Sequence, residues 1–200
     1  MRTVAAVAGL VLVVAAGVAQ PPPDTSRYGV KRLEKQFDQS APTPALQSAV
    51  TLIAADRLDY LAAHVLDPAF IDARVADRAL RLEGDVEREF RRLRDVQRQD
   101  PSLPGSARLP DEPAPFTQRV RAEATTRGFR QLVGDIRSTL AENPDHLADL
   151  RRFLRGGQVL EAGDVASFSL KDAKDRTVSL KKTAAGWHLE DRRTDAPEKK

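Results

Sequence analysis

The spacing of apolar residues changes period at Gly156-Gly157, and that change dictates a two-part architecture. Upstream, apolar residues recur at steps of three and four. Leu46, Val50 and Ile53 share one helical face, as do Tyr60, Leu61, His64 and Val65. Val75, Ala79, Leu82, Val86, Phe90 and Leu93 form the longest stripe, with the mixed charges of Asp77, Arg78, Arg81, Glu87, Arg88, Arg91, Arg92 and Asp95 opposite. Val120, Phe129, Leu132, Val133, Ile136 and Leu140 mark a further helix. Leu147, Leu150, Phe153 and Leu154 mark a last one, from about Asp145 to the glycine pair. Gly156-Gly157 is expected to close it in left-handed geometry.

Downstream the period is two. Ala166, Phe168 and Leu170 alternate with Ser167 and Ser169, Val178 and Leu180 repeat the pattern, and Trp187 and Leu189 alternate with His188 and Glu190. The connections 161–164, 171–175 and 183–186 have hairpin length, so 157–191 reads as an antiparallel meander of three or four strands. One face of such a sheet is apolar and needs cover, and the upstream helices (45–156) are the cover at hand. The expectation is one α+β domain over 45–193, amphipathic helices packed on a C-terminal meander.

Breakers set the boundaries. Asp56 is expected to interrupt the first helix or to cap a second, and Asp67-Pro68 to end that second helix. Ala69-Phe70-Ile71 reads as a scrap of strand or a buried connector. Pro101, Pro104, Pro110, Pro113 and Pro115 mark an exposed loop over 100–115, after which Phe116 and Thr117 open the next helix. Gly84 interrupts the longest stripe at a cost of about 1 kcal/mol relative to Ala.

The N-terminus carries an address. Arg2 precedes an apolar run from Val4 to Val14, and small residues follow to Ala19. This is the order of a secretory signal peptide over 1–19, with Gln20 at the mature start. The 16 residues from Val4 to Ala19 fall short of the ~20 that span a bilayer comfortably. The expected location is therefore outside the cytoplasm, in the periplasm, envelope or medium, with membrane contact only through the signal. Residues 20–44 hold Pro21, Pro22, Pro23, Pro42 and Pro44 around polar residues and read as a tether. Val30, Leu33 and Phe37 recur within it at helical spacing, which leaves open a short helix or a docking segment. Residues 194–200 are expected to be a disordered charged tail.

Composition narrows function by exclusion. The absence of Cys removes disulfides, thiolate catalysis and cysteine metal sites together. With 32 basic and 29 acidic residues the formal charge is +3, too close to neutral to argue for nucleic acid. Aromatic residues make up 5% of the chain, which disfavours sugar-binding surfaces. No phosphate-cradling glycine loop, nucleophile elbow or His-Glu-x-x-His motif occurs, and no cofactor or metal is implied.

Two passages resemble a known superfamily. Ala54-Ala55-Asp56-Arg57-Leu58-Asp59-Tyr60-Leu61 and Thr183-Ala184-Ala185-Gly186-Trp187-His188-Leu189-Glu190 are similar to the opening helix and closing strands of the nuclear transport factor two-like fold, shared with ketosteroid isomerase and scytalone dehydratase, and in particular to its uncharacterised exported bacterial members. The resemblance implies an α+β cone around a pocket, whereas here the strand signal is compressed into the last 35 or so residues. In the family's enzymes a His, Tyr or Asp lining the pocket does acid–base work.

The candidates for such work are Tyr60, His64 and His188. Asp56, Asp59, Tyr60 and His64 could share one helical surface. The plainer reading is a helix cap beside a partly buried, satisfied imidazole. His188, with Glu190 two residues on, reads as part of a solvated strand face, Trp187 as a core plug, and His146 as a surface or capping residue. The expected function is that of an exported, non-catalytic binding or structural module, its partner a small apolar ligand or an envelope protein. The alternative is a small pocket enzyme of the isomerase or hydratase type.

Overall fold

A computed structural model describes residues 26–33, 35–99, 109–171 and 173–190. Residues 1–19, expected as a signal peptide, residues 20–25, most of the proline-rich loop and the segment 191–200 lie outside the described residues. The fold is α+β, the described residues forming five helices followed by a four-stranded antiparallel sheet.

Helix α1 spans Pro42–Ala54, with Pro42 in the first turn where a missing N–H costs nothing. Its end is a Schellman closure. Asp56 takes a left-handed φ of 52°, Arg57 N–H donates to Leu52 O at 2.9 Å, and Asp56 N–H donates to Ile53 O at 3.2 Å. Asp56 therefore ends α1 and does not cap the next helix. That helix, α2, covers Leu58–Tyr60 and widens into a π turn over Leu61–Val65, buried throughout.

Helix α3 runs Pro68–Gln99 and α4 runs Pro113–Glu142. Ala69-Phe70-Ile71, expected as strand or connector, forms the first turn of α3, because Asp67 accepts the Ala69 N–H and Pro68 is tolerated at a helix start. Likewise α4 begins at Pro113, three residues before Phe116, its early prolines falling where no intrahelical donor is needed. At about 1.5 Å per residue α3 is roughly 48 Å long. The two long helices pack on each other through Val86, Phe90, Phe116, Val120 and Ala124. Arg121–Glu83, Arg127–Glu89 and Arg78–Asp135 ion pairs lace the flanks. They cross closely at Gly128, where an added Cβ would lie 3.1 Å from Val75 O and from Ala79 N.

Helix α5, Asp145–Gly156, leads into the sheet. Gly157 is extended, not left-handed as expected. Its glycine requirement is close approach, since a Cβ there would sit 2.4 Å from Phe153 O. Strands β1 (Gln158–Ala162), β2 (Val165–Leu170), β3 (Ala173–Thr183) and β4 (Gly186–Glu190) follow in sequential order. Register places Val159, Phe168 and Val178 on one row and Glu161, Ala166, Leu180 and Leu189 on the next, all on one face. Ala45 and Leu46 of α1 and Phe153 of α5 join Ala166, Phe168, Leu180 and Trp187 of that face in one buried cluster.

The body begins before Ala45. Residues 26–33 and 35–41, expected as part of a tether, lie against it as a strap. Phe37 is buried beside Leu52, Leu58 and Tyr60, and Tyr28 stacks on Phe129 with ring centroids 4.5 Å apart. Val30 and Phe37, two members of the apolar triplet, face the core, whereas Leu33 stays exposed.

Candidate functional site

The three candidate residues lie where the strap crosses the body. The π turn ends at Val65, so the carbonyls of its last residues lack helical partners. The strap supplies them. Arg27 donates to Ala63 O at 2.7 Å and to Pro68 O at 3.0 Å and pairs with Asp72, while the Gln39 side-chain amide donates to His64 O at 2.7 Å.

Tyr60 is 1% exposed, its ring 4.7 Å from Phe37 and 4.8 Å from His64 by centroids. Its hydroxyl accepts the Leu33 N–H at 2.9 Å. His64 Nε2 lies 2.8 Å from Val30 O, and since a carbonyl only accepts, Nε2 carries the proton. Burial holds the His64 pKa below its ordinary value, helped by the Arg32 and Arg27 cations and opposed by the Val30 carbonyl.

His188 is 2% exposed, which corrects the expectation of a solvated strand face. Alternation puts it opposite Trp187, but β4 is covered on both faces. Thr183 Oγ1 lies 3.4 Å from Gly186 O, a carbonyl to which only its hydroxyl can donate, so the same oxygen can accept from His188 Nε2, 3.0 Å away. Nδ1 is buried and meets no hydrogen-bond partner of good geometry among the described residues. Burial first, then the Arg32 charge, push the His188 pKa down to about 4. Both imidazoles are neutral at pH 7.

The carboxylates proposed to work with them face elsewhere. Asp56 pairs with Arg137 at 3.1 Å and Asp59 with Arg57 at 3.7 Å, all four side chains exposed to solvent. The structure thus joins Tyr60 and His64 but separates them from Asp56 and Asp59. His146 is exposed at the start of α5. Among the described residues no three His, Asp or Glu side chains gather into a metal-binding group, and no helix is long and apolar enough to cross a membrane.

A cleft of about 310 Å³ opens between the end of α1, the end of α4 and the start of α5, lined by Ile53, Leu58, Leu140 and Leu147, with the Asp56–Arg137 pair on it. A shallower hollow of about 500 Å³ lies on α3 around Glu89, Arg92 and Leu93. Neither includes Tyr60, His64 or His188.

Sequence reasoning missed Gln39, which is 5% exposed. Its amide donates to Trp187 O at 3.2 Å as well as to His64 O, and its own carbonyl accepts the Trp187 N–H at 2.9 Å. Arg32 donates to Gln39 Oε1 at 3.1 Å and also reaches Ala185 O. Gly186 marks the same contact, because at φ 121° its Cβ would lie 2.8 Å from Gln39 O. A glycine opening a strand was the one available signal. Comparison with family models, with curated proteins and with solved structures gives no match for this chain.

Proposed function

We propose that this chain is an exported, non-catalytic binding or structural module. The observation that carries the reading is the inward engagement of every candidate acid–base group. The Tyr60 hydroxyl and the His64 ring hold the strap, and the His188 ring nitrogen lies against Thr183 Oγ1. A general acid or base must reach a substrate proton within hydrogen-bond distance, and these groups are enclosed by their own fold. In this reading the apolar stripes of the helices act as cover, α1 and α5 for the sheet and α3 and α4 for each other. The two passages resembling the nuclear transport factor two-like superfamily meet at this seam, one contributing Tyr60 and the other Trp187 and His188. Export rests on the charge, apolar run and small residues of 1–19.

Two measurements test it. Proton exchange at enolisable ketones and hydration of conjugated enones, followed by NMR, are expected to stay at the buffer rate with the wild-type chain. Turnover that disappears in folded His64→Gln or His188→Gln contradicts the reading. Residues 1–19 fused to a reporter active only outside the cytoplasm are expected to yield activity, and an inactive reporter contradicts export.

A further inference from the structure

The sheet has two edges built from the same kind of hairpin. In each, a two-residue connection closes on a hydrogen-bonded pair, so outward main-chain groups belong to alternate residues beyond it. For β4, closing at Thr183 and Gly186, these are Trp187 and Leu189. Gln39 takes both main-chain groups of Trp187, and Leu189 O accepts the Asp67 N–H at 2.8 Å. That edge is sealed.

For β1, closing at Ala162 and Val165, the outward groups belong to Val159 and Glu161. Every β1 residue is exposed, Val159 at 42% and Leu160 at 72%. The strand has no proline, lysine or bulge to defend the edge, and Glu161 is its one charged residue.

We propose that β1 pairs antiparallel with β1 of a second copy of this chain, joining the two sheets into one of eight strands. This rests on the reading of the chain as a binding or structural module and names its partner. The register follows from the outward groups. A two-fold axis through Leu160 sets Val159 opposite Glu161 of the other copy, so all four outward groups on each strand are satisfied. Shifting by one residue either way leaves a single self-pair, of Val159 or of Glu161, and the latter opposes like charges.

At the chosen register Leu160 meets Leu160 as a non-hydrogen-bonded pair, Cα atoms about 4.5 Å apart. Charge agrees. Glu161 lies on the sheet face that α5 covers, and the axis carries it toward the start of the other β1, which follows Arg155 by three residues. Among the described residues neither Glu161 nor Arg155 has an ion-pair partner. Because the β4 edge is sealed, association closes at two copies instead of extending into a fibre.

The test uses the full chain, which has no cysteine of its own. Sedimentation equilibrium is expected to show a monomer–dimer equilibrium that Leu160→Lys abolishes and Glu161→Arg weakens, with Arg155→Glu added to Glu161→Arg restoring it. Under mild oxidation Leu160→Cys should form a disulfide-linked dimer at least about tenfold faster than Ser167→Cys, which lies one strand in, about 14 Å from its mate. A wild-type monomer up to millimolar concentration, with the two cysteine variants cross-linking equally slowly, overturns the proposal and leaves the edge to another protein's extended segment or to residues 1–25. That outcome does not touch the non-catalytic reading, which proton exchange decides.

Discussion

Along β4 both outward main-chain groups of Trp187 are engaged by Gln39 and Leu189 O by Asp67, whereas along β1 those of Val159 and Glu161 have no such cover among the described residues. The strands themselves do not differ in any protective residue, since neither Gln158–Ala162 nor Gly186–Glu190 contains proline or lysine. Protection of a sheet edge in this molecule is a long-range property, delivered by Gln39, about 150 residues before Trp187, and by Asp67 immediately before α3. The strap that carries Gln39 also engages Tyr60 and His64, so sealing at Trp187 and enclosing these two candidates go together.

The largest expected effect comes from breaking the seal. Gly186→Val puts a side chain against Gln39 O in a backbone region that only glycine occupies easily, and should cost about 3 kcal/mol or more, read as a lowered Tm with new proteolytic cleavage within 26–41. At the other turn Gly163 has φ 62° and open space, so Gly163→Ala should cost only about 1 kcal/mol, for backbone strain alone.

Acid is the next lever. His188 has a folded pKa of about 4 against an ordinary value of 6.5, so the unfolded chain binds the extra proton first. Its contribution is complete above pH 6.5 and is lost as pH falls toward 4, on the order of 3 kcal/mol. His64 shifts in the same direction and adds to the loss. Denaturant titrations at pH 7 and 4.5 should differ less in His188→Leu than in the wild type. An unchanged difference would remove His188 from the account.

Gln39→Leu leaves the Trp187 and His64 carbonyls without their side-chain donor, and an expected loss of about 2 kcal/mol by chemical denaturation checks this. The smallest effect belongs to β1. Leu160→Lys should change monomer stability by no more than about 0.5 kcal/mol, because its side chain is solvent-exposed.

The helices and the meander were legible because their signals are local. A stripe from Val75 to Leu93 and an alternation from Ala166 to Leu170 need no knowledge of the rest of the chain. The strap was not legible for the opposite reason. Arg27 and Gln39 find carbonyls left open by a π turn, acceptors that exist only once 58–65 has folded. The proline content of 20–44 drew attention to flexibility, while the burial of Phe37 depends on a groove formed by α1 and Tyr60. His188 shows the same limit. Alternation put it opposite Trp187, but whether that face is wet depends on the covering of β4. Gly157 was recognised as a stop signal for the wrong geometry, since an extended glycine in close approach and a left-handed one look alike in sequence.

Amide hydrogen exchange resolved to single residues compares the two edges within one molecule. The Trp187 N–H, held by Gln39 O, should exchange only on global unfolding, while the Val159 and Glu161 amides should exchange at loop-like rates in dilute protein and slow as concentration rises. Fast exchange at Trp187, or slow and concentration-independent exchange at Val159 and Glu161, would contradict a sheet sealed on one side and open on the other.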